Sequence, residues 1–373
     1  MRSYTFLIME RFHLKHTNNT IYFTAGIAIF SLFLYSGLYF MLPLNDINPF
    51  EYFFGADLNI YNIINIFTGG SVIPLIALIV GYILSKYQTV EKRQIAKYLA
   101  IILGIIGLSS VLIFPFDNML FLVLMTFVAL IFVGRPWVIT FAAGIALFAV
   151  HLLLNVVLEI IRGLNSNIQH VYSGIQQVNE YISIYRSSDY LAIINQNIDY
   201  LTGDITGTII LMLFMILPWL LIGVGLHQLS LETFMKDSPY LSGAIVIVLL
   251  TGGILTKLIQ ILLLGNITGE TLGEGFGGPV LALGYFLLLM YAGSHVPKAI
   301  FKGFVNLGRQ SLSAYILFNV LMMFIFFGFG LALYGQISVQ VLLFIVLGLY
   351  CLLLLLLNFL SIRKLKLIEA IFR

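Results

Sequence analysis

Charged residues are scarce in this chain of 373 residues. Asp, Glu, Lys and Arg together make up 9% of it and hydrophobic residues 60%, whereas soluble domains usually contain about 25% charged residues. A soluble protein of this composition would expose large apolar patches to water. The scarcity of charge therefore excludes an ordinary soluble domain and predicts an all-α, polytopic membrane protein.

Cysteine is almost absent too, since the chain contains Cys351 alone. One cysteine provides neither a disulfide framework nor a thiolate metal site. The sequence also lacks an H-E-x-x-H motif and a pair of intramembrane aspartates, so we expect no metal site. No cofactor motif is evident. The net charge of +3 is small, and we expect no nucleic-acid partner.

Long apolar runs make up most of the chain. A transmembrane helix needs about 20 mostly apolar residues, and the whole chain forms a single membrane domain on this criterion. We predict about ten membrane-spanning helices, at residues 21–43, 69–86, 96–115, 117–134, 136–161, 206–227, 240–264, 278–297, 308–333 and 338–361.

Lys and Arg residues predict the orientation of these helices. In a ten-span topology all but three of the 19 basic residues lie on one side, the exceptions being Arg162, Arg186 and Lys257. The positive-inside rule assigns the basic side to the cytoplasm. Both termini are then predicted to be cytoplasmic.

Three segments on the predicted outer side differ from the apolar runs. Residues 44–68 mix aromatic, polar and acidic side chains, which predicts an amphipathic segment on the outer leaflet. Residues 162–205 form the longest polar stretch and predict one or two short helices. The glycine-rich stretch at residues 265–279 predicts a flexible turn, with Pro279 starting the next helix.

Polar side chains inside the apolar runs are candidates for a functional site. An ionisable group at the bilayer centre costs about 2.5–3.5 kcal/mol and needs a partner. His151, Asn155 and Glu159 are spaced by four residues and share one helical face. Lys257 and Gln260 lie at a similar depth in another predicted helix. These five residues predict a polar cavity in the outer half of the membrane.

Two alternatives remain for Lys257 at this point. It pairs with Glu159 inside the cavity, or its long side chain extends to the membrane surface. His151 is the first candidate catalytic residue, as a general base, since imidazole titrates near neutral pH. Glu159 is the second candidate catalytic residue, and Asn155, Lys257 and Gln260 are candidate substrate ligands.

A second polar stripe begins the predicted ninth span. Ser311, Tyr315 and Asn319 are again spaced by four residues, and we expect their shared face to pack against another polar helix. Arg309 precedes them at the predicted cytoplasmic surface, where a guanidinium can bind the phosphates of an anionic donor. All four are candidate substrate-binding residues.

The same stretch resembles a known family. NLGRQSLSAYILFNVLMMF, residues 306–324, resembles the C-terminal signature of the YeiB-like bacterial membrane proteins (domain of unknown function four-one-eight). Gly308, Arg309, Leu312 and Tyr315 match that signature. The matching positions therefore include two of the candidate site residues.

Further segments are similar to the family's motifs in the same order. FPFDNMLFLVLMTFVAL resembles its D-I-L-x-x-Y-A-L segment through Asp117, and RKLKLIEAIFR resembles its C-terminal tail through Glu369. The resemblance covers most of residues 65–373, with the signature region at 300–373. The Asp-x-x-R-G-x-A segment that usually precedes the first span of the family is absent here.

Family members are remotely similar to multi-span membrane acyltransferases. The resemblance therefore implies a multi-pass protein of the bacterial cytoplasmic membrane, with acyl-coenzyme A as candidate donor and a lipid-linked or cell-envelope glycan as candidate acceptor. A transporter or lipid exporter needs the same intramembrane polar residues. A catalytically silent partner of another membrane protein is the third interpretation. The sequence predicts no oligomeric state.

Overall fold

The computed structural model of the protein describes residues 2–44, 47–88, 90–164, 175–262, 271–293 and 295–362. Every regular element in these ranges is a helix. The elements are α1 (Arg2–Met41), α2 (Pro49–Tyr52), α3 (Gly55–Thr68), α4 (Val72–Lys86), α5 (Lys92–Leu112), α6 (Met119–Ala129), α7 (Trp137–Leu164), α8 (Ile175–Tyr185), α9 (Tyr190–Thr202), α10 (Ile205–Gln228), α11 (Leu231–Asp237), α12 (Pro239–Leu262), the π-helical segment π1 (Thr271–Gly277), α13 (Gly278–Ala292), α14 (Lys298–Arg309), α15 (Ser311–Phe326) and α16 (Val339–Ile362).

The length and composition of the helices are compatible with a multi-pass membrane protein. Within the described ranges, eight stretches are long and apolar enough to cross a bilayer. They are Asn19–Met41, Gly55–Lys86, Lys92–Leu112, Trp137–Val157, Ile205–Gln228, Pro239–Ile259, Leu272–Ala292 and Val339–Leu360. The pair α14 and α15 is bent by 76° and raises the count to nine if it is taken as one span.

The predicted span at residues 117–134 is a much shorter helix. α6 has 11 residues, about 16 Å at 1.5 Å per residue, which is roughly half of the apolar thickness of a bilayer. The preceding segment FPFD is not helical, although Phe114, Phe116 and Asp117 are each at most 3% exposed. Pro115 within this segment cannot continue α5, because proline lacks the N–H that a helix needs.

The predicted span at residues 308–333 is divided as well. α14 ends at Arg309, Gln310 has a non-helical backbone, and α15 extends from Ser311 to Phe326. The stripe spaced by four residues therefore begins at the first residue of α15 and does not continue the direction of α14.

Glycines allow the central helices to approach each other closely. Where α4 crosses α10, Gly81 faces the backbone of Leu220 and Gly223 faces the backbone of Leu78, with no room for a Cβ on either glycine. Gly26 on α1 meets the backbone of α14 in the same way. Small residues at such crossings are typical of membrane helices, which associate through close packing.

The long polar stretch contains helices α8 and α9. Asp189 caps α9 by accepting a hydrogen bond from the backbone N–H of Leu191. The hydroxyl of Tyr185 donates to Oδ1 of Asn197 over 2.8 Å, and Nδ2 of Asn197 donates to the carbonyl of Val111 over 2.9 Å. These bonds attach both helices to the end of α5.

The segment at 44–68 contains the short helix α2 and the longer helix α3. α3 is followed by a three-residue turn and then by α4, and the combined stretch Gly55–Lys86 has 32 residues. One face of α3 is buried, at Tyr61, Ile64, Asn65 and Thr68. This buried face brings Asn65 into the interior of the protein.

Candidate functional site

α7 contributes two polar side chains to the interior. His151 is buried, at 8% exposure, and its Nε2 atom lies 3.0 Å from Nδ2 of Asn155. The roles of donor and acceptor in this hydrogen bond depend on the tautomer of the imidazole and the orientation of the amide. The four-residue spacing thus brings these two candidate residues into contact.

Lys257 on α12 is an almost completely buried ammonium. Its side chain is 1% exposed, and Nζ lies 3.8 Å from Oε1 of Glu274. Nζ also donates to Oδ1 of Asn65 over 3.4 Å. Both distances exceed those of a short charged hydrogen bond, so the ammonium is shared between the carboxylate of Glu274 and the amide of Asn65. The alternative in which Lys257 extends to the membrane surface is wrong.

A pair of glycines positions these partners. Gly69 and Gly70 form the turn between α3 and α4, and Gly70 has a φ of +64°, in the left-handed region that favours glycine. A Cβ at Gly70 would overlap the backbone of Glu274, and a Cβ at Gly69 would lie 2.8 Å from Nζ of Lys257. Both π1 and the ammonium can therefore approach the turn closely, because neither glycine has a side chain.

π1 also connects Lys257 with α7. A Cβ at Gly275 would lie 3.6 Å from Nδ2 of Asn155, and the rings of Phe276 and Phe148 stack with centroids 6.5 Å apart. The described part of the glycine-rich stretch is thus a π-helix packed on both sides, not the flexible turn that was predicted. We name the resulting group the lysine site; its members are Asn65, His151, Asn155, Lys257 and Glu274.

Two candidate residues of this region are not described. The side chains of Glu159 and Gln260 lie outside the part of the chain that the structure describes. The pairing of Glu159 with Lys257 therefore stays a prediction.

Tyr315 and Asn319 belong to a second buried group. They are 4% and 0% exposed. The hydroxyl of Tyr315 and the amide of Asn319 both interact with the carboxyl of Asp117, which lies in the non-helical segment before α6. Tyr315 also acts on Ser109 of α5. We name these four residues the aspartate cluster. The polar face of α15 thus meets the end of α5 and an irregular segment, whereas the prediction was a polar helix. Ser311 is half-buried at the start of α15.

Two tyrosines of α1 interact with carboxylates of the two groups. Tyr35 and Tyr39 are half-buried, and their rings are 5.0 Å apart. Glu274 acts electrostatically on both tyrosines, and Asp117 acts on Tyr35. The hydroxyls of these tyrosines are therefore within electrostatic range of carboxylates from both groups.

Arg309 lies apart from both groups. It is exposed, its Nη2 donates to Oδ1 of Asn19 over 2.6 Å, and its guanidinium lies 5.3 Å from the ring centroid of Tyr22. Nζ of Lys86 lies 5.2 Å from the same ring. We name Tyr22, Lys86 and Arg309 the basic surface. The bend at Gln310 separates this surface from Tyr315, so residues 309–319 do not form one site.

A carboxyl group adjoins the basic surface. Glu232 on α11 accepts a hydrogen bond from the hydroxyl of Tyr82 over 3.4 Å. Burial raises the pKa of Glu232, and the charges of Lys86 and Lys236 together with the Tyr82 hydrogen bond oppose this effect.

Three site residues could not be selected from the sequence. Asn65 lies in a segment that was assigned to the outer leaflet, and Glu274 lies in a stretch that was assigned to a turn. Asp117 entered only as a position of family resemblance. A usable signal exists for Glu274, because glycines on both of its sides allow another backbone to approach it closely. Within the described residues, no group of three or more His, Cys, Asp or Glu could hold a metal ion.

Comparison with known proteins supports the family resemblance. Residues 229–363 match the model of a family described as "Protein of unknown function (DUF418)". No curated protein and no solved structure matches the chain. The matched region contains Lys257, Glu274, Arg309, Tyr315 and Asn319. The resemblance predicted from the signature at 306–324 is therefore confirmed over residues 229–363, where the chain matches the model of that family.

Proposed function

We propose that the protein transfers an acyl group to a polar acceptor inside the membrane, with the lysine site as its reaction centre. The observation that carries the proposal is the ammonium of Lys257, which is 1% exposed and is held beside a carboxylate that is 41% exposed. A buried cation interacts strongly with developing negative charge because little water screens it.

The two charged groups suit complementary roles in acyl transfer. The carboxylate of Glu274 takes the proton of an acceptor hydroxyl, whose oxygen attacks the carbonyl carbon of a thioester. The ammonium of Lys257 stabilises the oxyanion that forms on that carbonyl. The C–S bond then breaks, the thiol leaves with a proton, and the acceptor retains the acyl group as an ester.

Glu274 is a better candidate base than His151 in this arrangement. Nε2 of His151 is already engaged by the hydrogen bond with Asn155, whereas the carboxylate of Glu274 is 41% exposed and lies beside Lys257. His151 is therefore assigned the role of orienting a bound group. Glu159 remains a second candidate carboxylate on the same helix face.

The donor is proposed to be acyl-coenzyme A, bound at the basic surface by its phosphates. Arg309 donates one hydrogen bond to Asn19, which leaves further N–H donors of the guanidinium for an anion. Isothermal titration with acyl-coenzyme A tests this part. Arg309→Ala should weaken binding by about 1.5–3 kcal/mol, while Lys302→Ala, an exposed control on the same helix, should bind like the wild type.

Arg309→Lys distinguishes binding from anchoring. Lysine keeps the charge but loses the planar fork of donors, so we expect intermediate affinity for acyl-coenzyme A. Equal binding by the wild type and all three variants, or no binding by the wild type, would show that Arg309 only anchors α14 to α1.

A transfer assay tests the reaction itself. Purified protein in lipid nanodiscs is incubated with acyl-coenzyme A that carries a radiolabelled acyl group and with a lipid and glycan extract of bacterial envelopes. We expect label to appear in the acceptor fraction with the wild type. Lys257→Met and Glu274→Gln should reduce the rate at least about 100-fold, in the range for a lost oxyanion donor or base.

Matched controls come from exposed positions of the same residue types. Lys302→Met and Glu180→Gln replace exposed side chains and should retain the wild-type rate. Labelling that is unchanged in Lys257→Met and Glu274→Gln would exclude the lysine site as the reaction centre.

A transporter is the second candidate, favoured by the non-helical segment before α6. Discontinuous helices in transporters often form the substrate site near the middle of the membrane. Proteoliposomes separate the two functions, because a transporter accumulates its substrate without modifying it, whereas an acyltransferase yields a covalently acylated product.

A further inference from the structure

The aspartate cluster contains polar atoms that the protein leaves without partners. Oγ of Ser109, Oδ2 of Asp117, Oη of Tyr315 and both amide atoms of Asn319 have no hydrogen-bond partner within the described structure. These side chains are each at most 5% exposed. The side chains interact with one another, Tyr315 and Asn319 with Asp117 and Ser109 with Tyr315, but these contacts do not satisfy hydrogen-bond geometry. Unpartnered buried polar atoms are costly, so their concentration at one place indicates a ligand.

The backbone around the cluster is that of a broken helix. α5 ends at Leu112, and α6 begins at Met119 in the interior of the bundle. Oδ1 of Asp117 accepts a hydrogen bond from the backbone N–H of Met119 over 3.2 Å. One carboxylate oxygen thus stabilises the start of α6, while Oδ2 remains available. Irregular backbone at such a depth occurs where it is buried in protein or lines a cavity.

The charge of Asp117 also lacks compensation from its closest neighbours. The groups that act on it most directly are the hydroxyl of Tyr315, the amide of Asn319 and the backbone N–H of Met119, all of them neutral. The buried ammonium of Lys257 contacts Glu274 and Asn65 and is not among the groups that act most strongly on Asp117. A buried carboxylate without a counter-charge is unfavourable, so a positive ligand stabilises it.

We infer that the aspartate cluster binds one sodium ion. The available ligand atoms of Asp117, Asn319, Tyr315 and Ser109 are all oxygens, which hard cations prefer. The cluster contains neither histidine nor cysteine, so it does not suit a transition metal. Four side-chain oxygens, only one of them from a carboxylate, are too few for Ca²⁺, which takes 6–8 oxygen ligands. Coupling ions in other membrane proteins bind at similar interruptions of helices.

Sodium-dependent thermal stability of the full-length protein tests the inference. Melting temperatures are measured in nanodiscs at slightly alkaline pH, with sodium chloride increasing and choline chloride decreasing so that ionic strength stays constant. Because a ligand that binds the folded state raises its stability, we expect the melting temperature of the wild type to rise with sodium and to saturate.

Asp117→Asn is the central variant. It keeps the size of the side chain and removes the charge, so we expect its melting temperature to be independent of sodium. Asp199→Asn, an exposed control on α9, should behave like the wild type. If Asp117→Asn does not fold, Tyr315→Phe serves instead, since it keeps the carboxylate and removes one oxygen; the sodium concentration at half-saturation should then increase several-fold.

A proton is the competing occupant of the same carboxylate. Lowering the pH should therefore increase the sodium concentration needed for half-saturation in the wild type. The titratable side chains that interact with Asp117 are Tyr315 and Tyr35, and Tyr35 in turn interacts with Tyr200 and Glu274. Glu274→Gln is included to show that the response to pH does not come from the lysine site.

The outcomes separate binding from simple burial. A sodium-dependent rise that is present in the wild type and absent in Asp117→Asn supports the site. The same sodium response in both proteins, or no response in either, overturns it, and a response to pH alone shows that Asp117 takes a proton and no sodium. The acyl-transfer assay is independent of this measurement, so either proposal can fail without the other.

Discussion

Lys257 illustrates how a single residue determines the interior of this protein. An ammonium in an apolar helix needs compensation, and the fold supplies a carboxylate from π1 and an amide from α3. The sequence identified Lys257 but not its partners, because Glu274 and Asn65 come from segments distant in sequence. Contacts of that kind depend on tertiary packing, which helical spacing does not reveal.

Removing only Glu274 or only Lys257 should lower the free energy of unfolding more than removing both. Breaking a buried ion pair costs about 3–5 kcal/mol, and the partial exposure of Glu274 reduces this to about 1–2 kcal/mol for Glu274→Gln. Lys257→Met combined with Glu274→Gln should recover part of the loss. Thermal unfolding in detergent of the wild type, both single variants and the double variant measures the coupling free energy.

Two further variants specify the partner. Glu180→Gln at an exposed position should leave stability unchanged. The same cycle with Glu159→Gln tests the pairing predicted from the sequence. Additive losses with Glu274→Gln, together with coupling to Glu159→Gln, would show that Glu159 is the principal partner of Lys257.

Glu232 should make stability depend on pH. Burial raises its pKa in the folded state, so the folded state holds the proton more tightly than the unfolded state does. The contribution of Glu232 to the free energy of unfolding is therefore largest at pH values below the ordinary pKa of glutamate, about 4.3. It decreases as the pH rises from that value through the raised pKa of the folded state. Glu232→Gln should remove this part of the pH dependence, as measured by unfolding across mildly acidic pH. An unchanged pH profile in Glu232→Gln would contradict a buried, titrating Glu232.

At the scale of elements, interruptions of helices create the buried polar groups. Proline at position 115 and glycines at 69 and 70 stop regular helices inside the bundle, and each interruption has a buried carboxylate or ammonium beside it. The apolar runs were visible in the sequence, and eight of the ten predicted spans correspond to long helices. The shortness of α6 and the bend at Gln310 were missed, because hydropathy records apolar composition and not where the backbone leaves the helical conformation.

Gly70→Ala tests the contact between the turn and π1. A side chain at a φ of +64° is strained, and its Cβ would overlap the backbone of Glu274. Together these effects should destabilise the protein by about 2–4 kcal/mol.

Gly104→Ala is the matched control. Gly104 is exposed on α5, and a Cβ at this position would have no atom within 4 Å. This variant should be neutral or stabilising by up to about 1 kcal/mol. Unfolding in detergent compares the two, and equal stability of both variants would show that π1 does not pack on the turn.

At the scale of the whole molecule, the two ends of the bundle are predicted to lie on opposite sides of the membrane. Basic residues cluster at the ends of α4, α14 and α16, and the positive-inside rule places those ends inside the cell. The polar helices α8 and α9 would then face the opposite side. The orientation depends on charge alone, so it is a prediction that labelling can test.

Single cysteines introduced into a Cys351→Ala background measure this orientation. Gln88 and Asp237 are exposed on the predicted inner side, and Ser188 is exposed between α8 and α9. A membrane-impermeant thiol reagent should label a cysteine at Ser188 on intact cells and should label the other two only after the membrane is opened. Labelling of position 237 on intact cells would contradict the predicted orientation.

The position of a bound donor tests the central role of the lysine site most directly. Electron cryomicroscopy of the wild-type protein in nanodiscs, with a non-hydrolysable 2-oxoalkyl thioether of coenzyme A that keeps a ketone carbonyl next to the sulfur-bound carbon, locates the reacting carbonyl. We predict that its oxygen lies within hydrogen-bonding distance of Nζ of Lys257, with the coenzyme phosphates at Arg309. Density for the carbonyl elsewhere in the protein, or no bound analogue at saturating concentration, would contradict acyl transfer at the lysine site.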